Sequence, residues 1–279
     1  MRKIAVIALG AFALLAVAAQ DGVVLRKQLT ANSTEIYNVE MKSVNSTPMG
    51  DASVDGTMKM TYKYGQIDKD GKADIEIITS DIKLKLGGVA EMAEGMMGEM
   101  PKTTTVKGKI DDRNRLTDMK AVGAAAQMAM LTGSSASSSN QSVAFPEKGV
   151  KVGDIWEIVM PANKAAGMSE TKLTGKLVSE KTVDGVVTYV VSMYGTIPIK
   201  MNMAEMMKDA PGGAAAGMPA DLMITGKVDL KMDSVIDKVT GRTLETIMTA
   251  KSIGAISGES LPMVIDTAGT TTVKITLAK

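Results

Sequence analysis

The chain has 279 residues, with 24 methionines, one tryptophan and neither cysteine nor histidine. These absences exclude disulfides, Ser-His-Asp and Cys-His catalysis, and zinc sites that depend on Cys or His ligands. Lys and Arg number 32 against 31 Asp and Glu, so no charge excess points to nucleic acid or an anionic membrane as a partner. We therefore expect a protein that is not an enzyme and uses no cofactor.

The first residues have the form of a secretory signal. Arg2 and Lys3 supply positive charge, Ile4 to Val17 is an apolar run, and small residues surround Ala19, where we predict cleavage. The run is shorter than the roughly 20 residues that a spanning helix needs. No cysteine follows it for lipid attachment. We expect a mature protein that is periplasmic or secreted and has no transmembrane anchor.

Most of the remaining chain predicts β-strands. Thr57 to Tyr64 alternates polar and apolar residues, as a half-buried strand does, and Asp68 to Lys72 forms a hairpin turn in which Gly71 can adopt a positive φ. Further segments follow the same pattern: Ala73 to Ser80, Asp81 to Leu86, Thr171 to Ser179, Val186 to Met193, Leu222 to Met232 and Thr271 to Leu277. Strands separated by short turns favour antiparallel meanders.

The order of motifs indicates an internal duplication. In both halves a strand pair around an Asp-Gly turn leads to an alternating segment, then a Met-rich segment, then another strand; the alternating segments are Ile82 to Leu86 and Ile197 to Met201. We predict a signal peptide at 1–19, a first β-rich repeat at 20–131, a Ser-rich linker at 132–145 and a second β-rich repeat at 146–279. The predicted fold class is mainly β, a duplicated antiparallel curved sheet resembling a half-barrel, with two or three short Met/Ala-rich helices.

The Met-rich segments are the candidate ligand site. Val89, Met92, Ala93, Met96, Met97 and Met100 recur at the spacing of one helical face, and Met203, Met206 and Met207 repeat that spacing in the second half. A third short helix is predicted at about Gly123 to Leu131. Methionine adapts its shape to varied apolar surfaces, so two Met-lined helices could cover an apolar ligand. The candidate ligand-binding residues are Met92, Met96, Met97, Met100, Met203, Met206 and Met207. The alternative is that these helices only close the core.

Two metal hypotheses are weaker. Thioether clusters can bind Cu(I), although no His or Cys is present to strengthen such a site. The turn around Asp70 faintly resembles a calcium loop, but Lys72 stands where a ligand is needed. We therefore predict no metal site.

One segment resembles a known family. Phe145-Pro146-Glu147-Lys148-Gly149-Val150-Lys151-Val152-Gly153-Asp154-Ile155-Trp156 is similar to the mid-chain Pro…Val-Lys-Val-Gly-Asp-x-Trp segment of a family of exported bacterial proteins of unknown function. Gly226 to Asp229 and Thr240-Gly241-Arg242 fit further features of that family. The resemblance implies no catalytic residues. Gly153-Asp154 predicts a tight turn into a strand, and Trp156 predicts a core anchor. The predicted architecture also resembles, more loosely, that of periplasmic lipoprotein carriers.

These observations favour a binding protein. The sequence predicts an exported, non-catalytic protein that holds an apolar or lipid-like small molecule between its sheet and the Met-rich helices. The alternative is a structural or interaction protein of the cell envelope, which has no small ligand and uses its sheet edges to hold a protein partner.

Overall fold

The computed structural model describes residues 22–48, 50–89, 91, 102–122, 143–162, 169–202, 221–261 and 263–278. The elements formed by these residues are eleven β-strands: β1 (Thr34–Thr47), β2 (Gly50–Ile67), β3 (Ala73–Gly88), β4 (Thr104–Ile110), β5 (Leu116–Val122), β6 (Ile155–Met160), β7 (Thr171–Val183), β8 (Val186–Asn202), β9 (Met223–Asp237), β10 (Thr243–Ser257) and β11 (Ile265–Leu277).

All eleven strands belong to one open, curved, antiparallel sheet. Their order is β5-β4-β3-β2-β1-β11-β10-β9-β8-β7-β6, so each half of the chain forms a meander and the β1–β11 pair joins the halves. The mainly β, antiparallel prediction is confirmed. The predicted helices are not among the described elements, because 92–100, 123–131 and 203–210 lie outside the described residues. Among the residues that the structure describes, no helix is long and apolar enough to cross a membrane.

Several strands are longer than the sequence predicted. The two segments on either side of Ser80 and Asp81 form the single strand β3, which continues through an irregularity where Asp81 has a φ of 52°. Likewise Val186 to Met193 is only the first part of β8, which continues to Asn202. At a bulge the alternation of polar and apolar residues is interrupted, although the two strands remain paired on both sides of it. A pattern of alternation therefore predicts two strands where the structure has one. The prediction did not include β1, β5 and β10 at all.

The turns divide the sheet into two ends. At what we call the lower end lie the β2–β3, β4–β5, β7–β8 and β9–β10 hairpins, and at the upper end lie the connections after β1, β3, β8 and β10. The predicted hairpin at Asp68 to Lys72 is confirmed: Gly71 has a φ of 76°, and the Asp68 carboxylate accepts hydrogen bonds from the backbone N–H groups of Asp70 and Lys72.

One face of the sheet, the inner face, carries two apolar cores. The first-half core contains Val39, Ile75, Ile77 and Val273, and the second-half core contains Leu177, Val191 and Met232. Met248, on β10, contacts both cores. Apart from Met248, which is half-buried, each of these side chains is at most 5% exposed, as expected of alternate residues that face a covered sheet surface.

Two irregular segments cover the lower inner face. Residues 22–29 contribute Leu25 and residues 143–150 contribute Phe145, both of which are buried in the second-half core. The segments join each other through backbone hydrogen bonds between Val23 and Val150. They thereby cover the lower inner face of the curved sheet.

Candidate functional site

The upper inner face of the first half carries an apolar patch. Ile82, Leu84 and Leu86 of β3 alternate with the exposed lysines Lys83 and Lys85, which lie on the outer face. Val54 of β2 pairs with Leu86 and completes the patch. All four apolar side chains are half-buried, whereas the inner-face residues of β3 nearer its start are buried. We call these four residues the first patch.

The second half carries a matching patch at the same end. Ile199 and Met201 of β8 are half-buried, with Lys200 exposed between them. On β9, Ile224 pairs with Met201, and Val228 lies two inner-face positions further along; both are also half-buried. We call Ile199, Met201, Ile224 and Val228 the second patch.

The two patches occupy equivalent places in the chain. The first lies where β3 ends at Gly88, before the connection that contains Met92 to Met100, and the second lies where β8 ends at Asn202, before the connection that contains Met203 to Met207. The alternating segments that the sequence analysis matched, Ile82 to Leu86 and Ile197 to Met201, thus lie on the same face and at the same end of one sheet.

Small and polar residues separate the patches. The upper inner face of the central strands β1, β11 and β10 carries Ser43, Asn45, Thr267, Gly269, Thr271, Ala250, Ser252 and Gly254. Beyond these, at the top of β10 and β11, the apolar pair Ile256 and Ile265 lies beside Ile224 of the second patch. Ser43 and Thr271 share a hydrogen bond between their hydroxyl oxygens of 2.9 Å. The face therefore presents two apolar surfaces on either side of a strip of small residues and hydroxyl groups.

None of the predicted ligand residues falls within the described part of the chain. Met92, Met96, Met97, Met100, Met203, Met206 and Met207 lie at 92–100 and 203–220, outside the described residues. Their role in ligand binding stays a prediction. The structure adds the half-buried apolar patches at the points where both Met-rich connections leave the sheet.

A buried polar network lies at the lower end. The Glu35 carboxylate accepts hydrogen bonds from the Lys27 ammonium at 3.0 Å and from the Tyr37 and Tyr64 hydroxyl groups, each at 2.8 Å. Arg242 donates from Nε to the other carboxylate oxygen at 3.1 Å. Lys27 and Glu35 are both buried, so this network attaches the segment 22–29 to the sheet.

Burial and neighbouring charges shift the pKa values of the ionisable groups in this network. Burial by itself raises the pKa of Glu35, but the Lys27 charge and the hydrogen bonds from Tyr37, Lys27 and Tyr64 outweigh it, so that the pKa lies below its ordinary value. Burial lowers the pKa of Lys27, against the opposing effect of Glu35. Burial and the Glu35 charge raise the pKa values of Tyr37 and Tyr64. All four donor side chains of this network are hydrogen-bonded to the Glu35 carboxylate. This arrangement indicates that the network has a structural role and anchors the segment 22–29 to the sheet.

A cleft of about 510 Å³ separates the two edge strands of the sheet. Its β6 side is lined by six consecutive residues, Trp156 to Pro161, and its other side by residues of the β4–β5 turn and the start of β5. Phe145 also lines the cleft. We call this space the edge cleft.

Trp156 is half-buried at the side of the edge cleft. Its indole N–H donates to the carbonyl oxygen of Ala144 at 3.0 Å, and its ring lies against Gly175, where a Cβ atom would collide with it. Gly153 has a φ of 97°, and β6 begins two residues later, as the sequence predicted for a tight turn. Trp156 packs against the second-half core and also lines the cleft.

Sequence reasoning missed the Glu35 network and the edge cleft. Lys27, Glu35 and Arg242 carry no local signal of burial, since their spacing in the chain is irregular and long. The apolar composition of β6, Ile-Trp-Glu-Ile-Val-Met, was the available signal for the cleft, because a strand that is apolar on both faces is usually covered on both.

No protein-family model and no curated protein matches the chain. The solved structures that match this chain include two distant ones. One, entitled "Lipid-protein interactions in lipovitellin", is 11% identical with a TM-score of 0.47, and the match covers 90% of this chain and 26% of that chain. The other is a putative outer membrane lipoprotein-sorting protein domain from Vibrio parahaemolyticus, 9% identical with a TM-score of 0.15, covering 88% of this chain and 83% of that one. Similarities this distant carry no argument about function.

Proposed function

We propose that this protein is a non-catalytic, exported binding protein for an apolar or lipid-like molecule, which lies against the upper inner face of the sheet. The observation that supports the proposal is the pair of half-buried apolar patches, placed symmetrically where the two Met-rich connections leave β3 and β8. The described structure covers the lower inner face far more completely than it covers these patches.

Burial energetics favour an apolar ligand at this place. Removing apolar surface from water contributes about 25 cal/mol per Å², so covering about 200 Å² of patch surface would contribute about 5 kcal/mol before the costs of binding. Apolar sites gain specificity from a few polar groups. The hydroxyl groups of Ser43, Ser252 and Thr271 lie between the patches and can meet a polar part of the ligand.

The two Met-rich segments are proposed to cover the ligand from the other side. Met92, Met96, Met97 and Met100 would contact the ligand above the first patch, and Met203, Met206 and Met207 above the second. Unbranched thioether side chains repack around ligands of different shape, which suits a binder of varied lipids. Neither stripe offers the acid, base or nucleophile that an enzyme active site would need.

The experiment compares two double variants of β3. Leu84→Gln with Leu86→Gln makes the first patch polar, whereas Lys83→Gln with Lys85→Gln changes the opposite face of the same strand. Titration with a fluorescent fatty-acid probe should show binding that weakens at least about tenfold in the Leu variant, since two buried leucine contacts are worth more than 1.4 kcal/mol together. The Lys variant should bind as the unmodified protein does.

Native mass spectrometry of the protein purified from its own host supplies the ligand's identity. A bound species with the mass of a lipid or other apolar metabolite is expected, at reduced occupancy in the Leu84→Gln, Leu86→Gln variant. If the protein carries no such species and ignores the probe, the proposal is wrong.

The interaction-protein alternative also has an observation in its favour. The β6 edge of the sheet is apolar and borders a cleft, a combination that suits a polypeptide better than a lipid.

A further inference from the structure

Strand β6 has the composition of an internal strand but lies at an edge. Five of its six residues are apolar, with Trp156, Ile158 and Met160 on the inner face and Ile155 and Val159 on the outer face. Ile155 is 65% exposed and Val159 50% exposed. Edge strands usually carry charges, prolines or bulges that prevent pairing with another chain. The only charge within β6 is that of Glu157.

The hydrogen-bonding groups of the β6 edge can be assigned. Leu177 of β7 directs its N–H and C=O toward β6, where they meet the carbonyl of Asp154 and the N–H of Gly153. Because the pattern alternates, Gly175, Leu173 and Thr171 bond in the same way to their partners Trp156, Ile158 and Met160. The N–H and C=O groups of Ile155, Glu157 and Val159 therefore point away from β7, toward the edge cleft, and no described residue bonds to them.

The opposite edge of the sheet is protected. In β5, Asp118 has a φ of 56°, and the pairing with β4 shifts register at this point. Lys120 is exposed two residues further on. A bulge and a lysine are devices that block strand addition, so β6 and not β5 offers a regular ladder.

The far wall of the edge cleft limits what can pair with β6. The sheet has eleven strands, each antiparallel to its neighbours, and β5 and β6 are the first and the last of them. They therefore run in the same direction, so a segment antiparallel to β6 would also be antiparallel to β5. Arg115, Leu116 and Thr117 form the far wall of the cleft. We expect this wall to obstruct the further strands of a second sheet, which favours a single extended segment over a second copy of this chain.

We propose that β6 binds an extended segment of another polypeptide as an added antiparallel strand in the edge cleft. Main-chain hydrogen bonds to Ile155, Glu157 and Val159 would supply affinity, and alternate apolar side chains would face the inner wall near Phe145. The Glu157 carboxylate already pairs with the Lys172 ammonium at 3.1 Å. A glutamate directly opposite Glu157 would still be the least favourable partner residue, since like charges opposite each other are destabilising. This site is independent of the proposed lipid site on the upper inner face.

The test uses capped heptapeptides that alternate valine and threonine, with lysine, threonine or glutamate at the central position. Trp156 is the only tryptophan in the chain and lines the cleft, so its fluorescence reports occupancy directly. Saturable binding is expected, strongest for the lysine peptide and weakest for the glutamate peptide. Peptides with the same side chains and N-methylated backbone amides should fail to bind, because they lack the ladder donors. No saturable binding by any peptide at millimolar concentration would overturn the proposal.

A matched pair of protein variants separates edge pairing from side-chain contact. Val159→Pro removes an N–H group that points into the cleft and leaves the β6–β7 ladder intact, which an edge strand tolerates. Val159→Ala keeps that N–H group. Peptide binding should weaken at least about tenfold in Val159→Pro and less than about threefold in Val159→Ala. Equal binding by the proline variant contradicts the inference.

Hydrogen exchange of the free protein tests whether the outward-pointing backbone N–H groups of β6 lack hydrogen-bond partners. The amides of Ile155, Glu157 and Val159 should exchange quickly, and those of Trp156, Ile158 and Met160 slowly. Protection of the first set would show that another part of the chain already occupies the edge and would overturn the proposal. So would a dimer that Val159→Pro abolishes, because the occupant would then be a second copy. Fatty-acid binding should be unchanged in Val159→Pro, so the two proposals fail separately.

Discussion

The lower and upper parts of a single strand differ in what covers their inner face. In β3, Ala73, Ile75 and Ile77 are at most 3% exposed, while Leu84 and Leu86 are half-buried on the same face nearer its end. Strand β8 shows the same change between its buried residues Val191 and Met193 and the half-buried Ile199 and Met201. Residues 22–29 and 143–150 cover the lower part. The lower end therefore carries the buried contacts that stabilise the fold, and the upper end is where we propose that a ligand binds.

The largest expected effect concerns the anchor at the lower end. Glu35→Gln leaves the Lys27 ammonium buried without its countercharge, and breaking a buried ion pair on one side typically costs about 3–5 kcal/mol. Urea unfolding at neutral pH should show a loss of that size. Glu76→Gln, at a half-buried carboxylate of β3 that pairs with the exposed Lys63 and Lys107, is the control and should change the free energy of unfolding by less than about 1 kcal/mol. Equal effects would show that the buried network does not hold the lower end.

A pair of truncations on β3 compares the two parts directly. Ile77→Ala, in the buried part, should lower the free energy of unfolding by about 2–4 kcal/mol through lost contacts and a cavity. Leu86→Ala, on the first patch, should cost about 1 kcal/mol, since a half-buried side chain loses less on truncation. If Leu86→Ala costs as much as Ile77→Ala, the first patch belongs to a solid core and the proposed ligand site loses its support.

The sequence predicts the fold class better than it predicts which segments cover the inner face of the sheet. Alternation locates β2, the Asp68 to Lys72 hairpin and the paired segments at Ile82 and Ile197, because side chains on a half-covered sheet must alternate. It divides β3 at Asp81, where a bulge interrupts the alternation. The burial of Lys27 and Glu35 cannot be predicted from local sequence, since it depends on segments 22–29 and 240–242 meeting in space. The edge position of β6 likewise follows from topology and not from its composition.

The smallest effect is the dependence of stability on pH. Because the pKa of Glu35 is lower in the folded protein than its ordinary value of 4.5, the unfolded chain takes up the proton first. The stabilisation from Glu35 is therefore present above pH 4.5 and is lost as the pH falls through the folded-state value. Urea unfolding between pH 6 and pH 3 should show this loss in the unmodified protein and a shallower slope in Glu35→Gln. The same slope in both proteins would show that other carboxylates dominate.

Cross-linking with a photoactivatable fatty acid tests the proposed ligand site most directly. After irradiation and digestion, mass spectrometry should place the label on the first and second patches, at Ile82 to Leu86 and at Ile199 to Met201, and on the Met-rich segments that follow them. The double variant Leu84→Gln, Leu86→Gln should lose the label on β3, while Lys83→Gln, Lys85→Gln should retain it. Labelling confined to the outer face or the edge cleft, or no specific labelling, would contradict the assignment of the upper inner face as the ligand site.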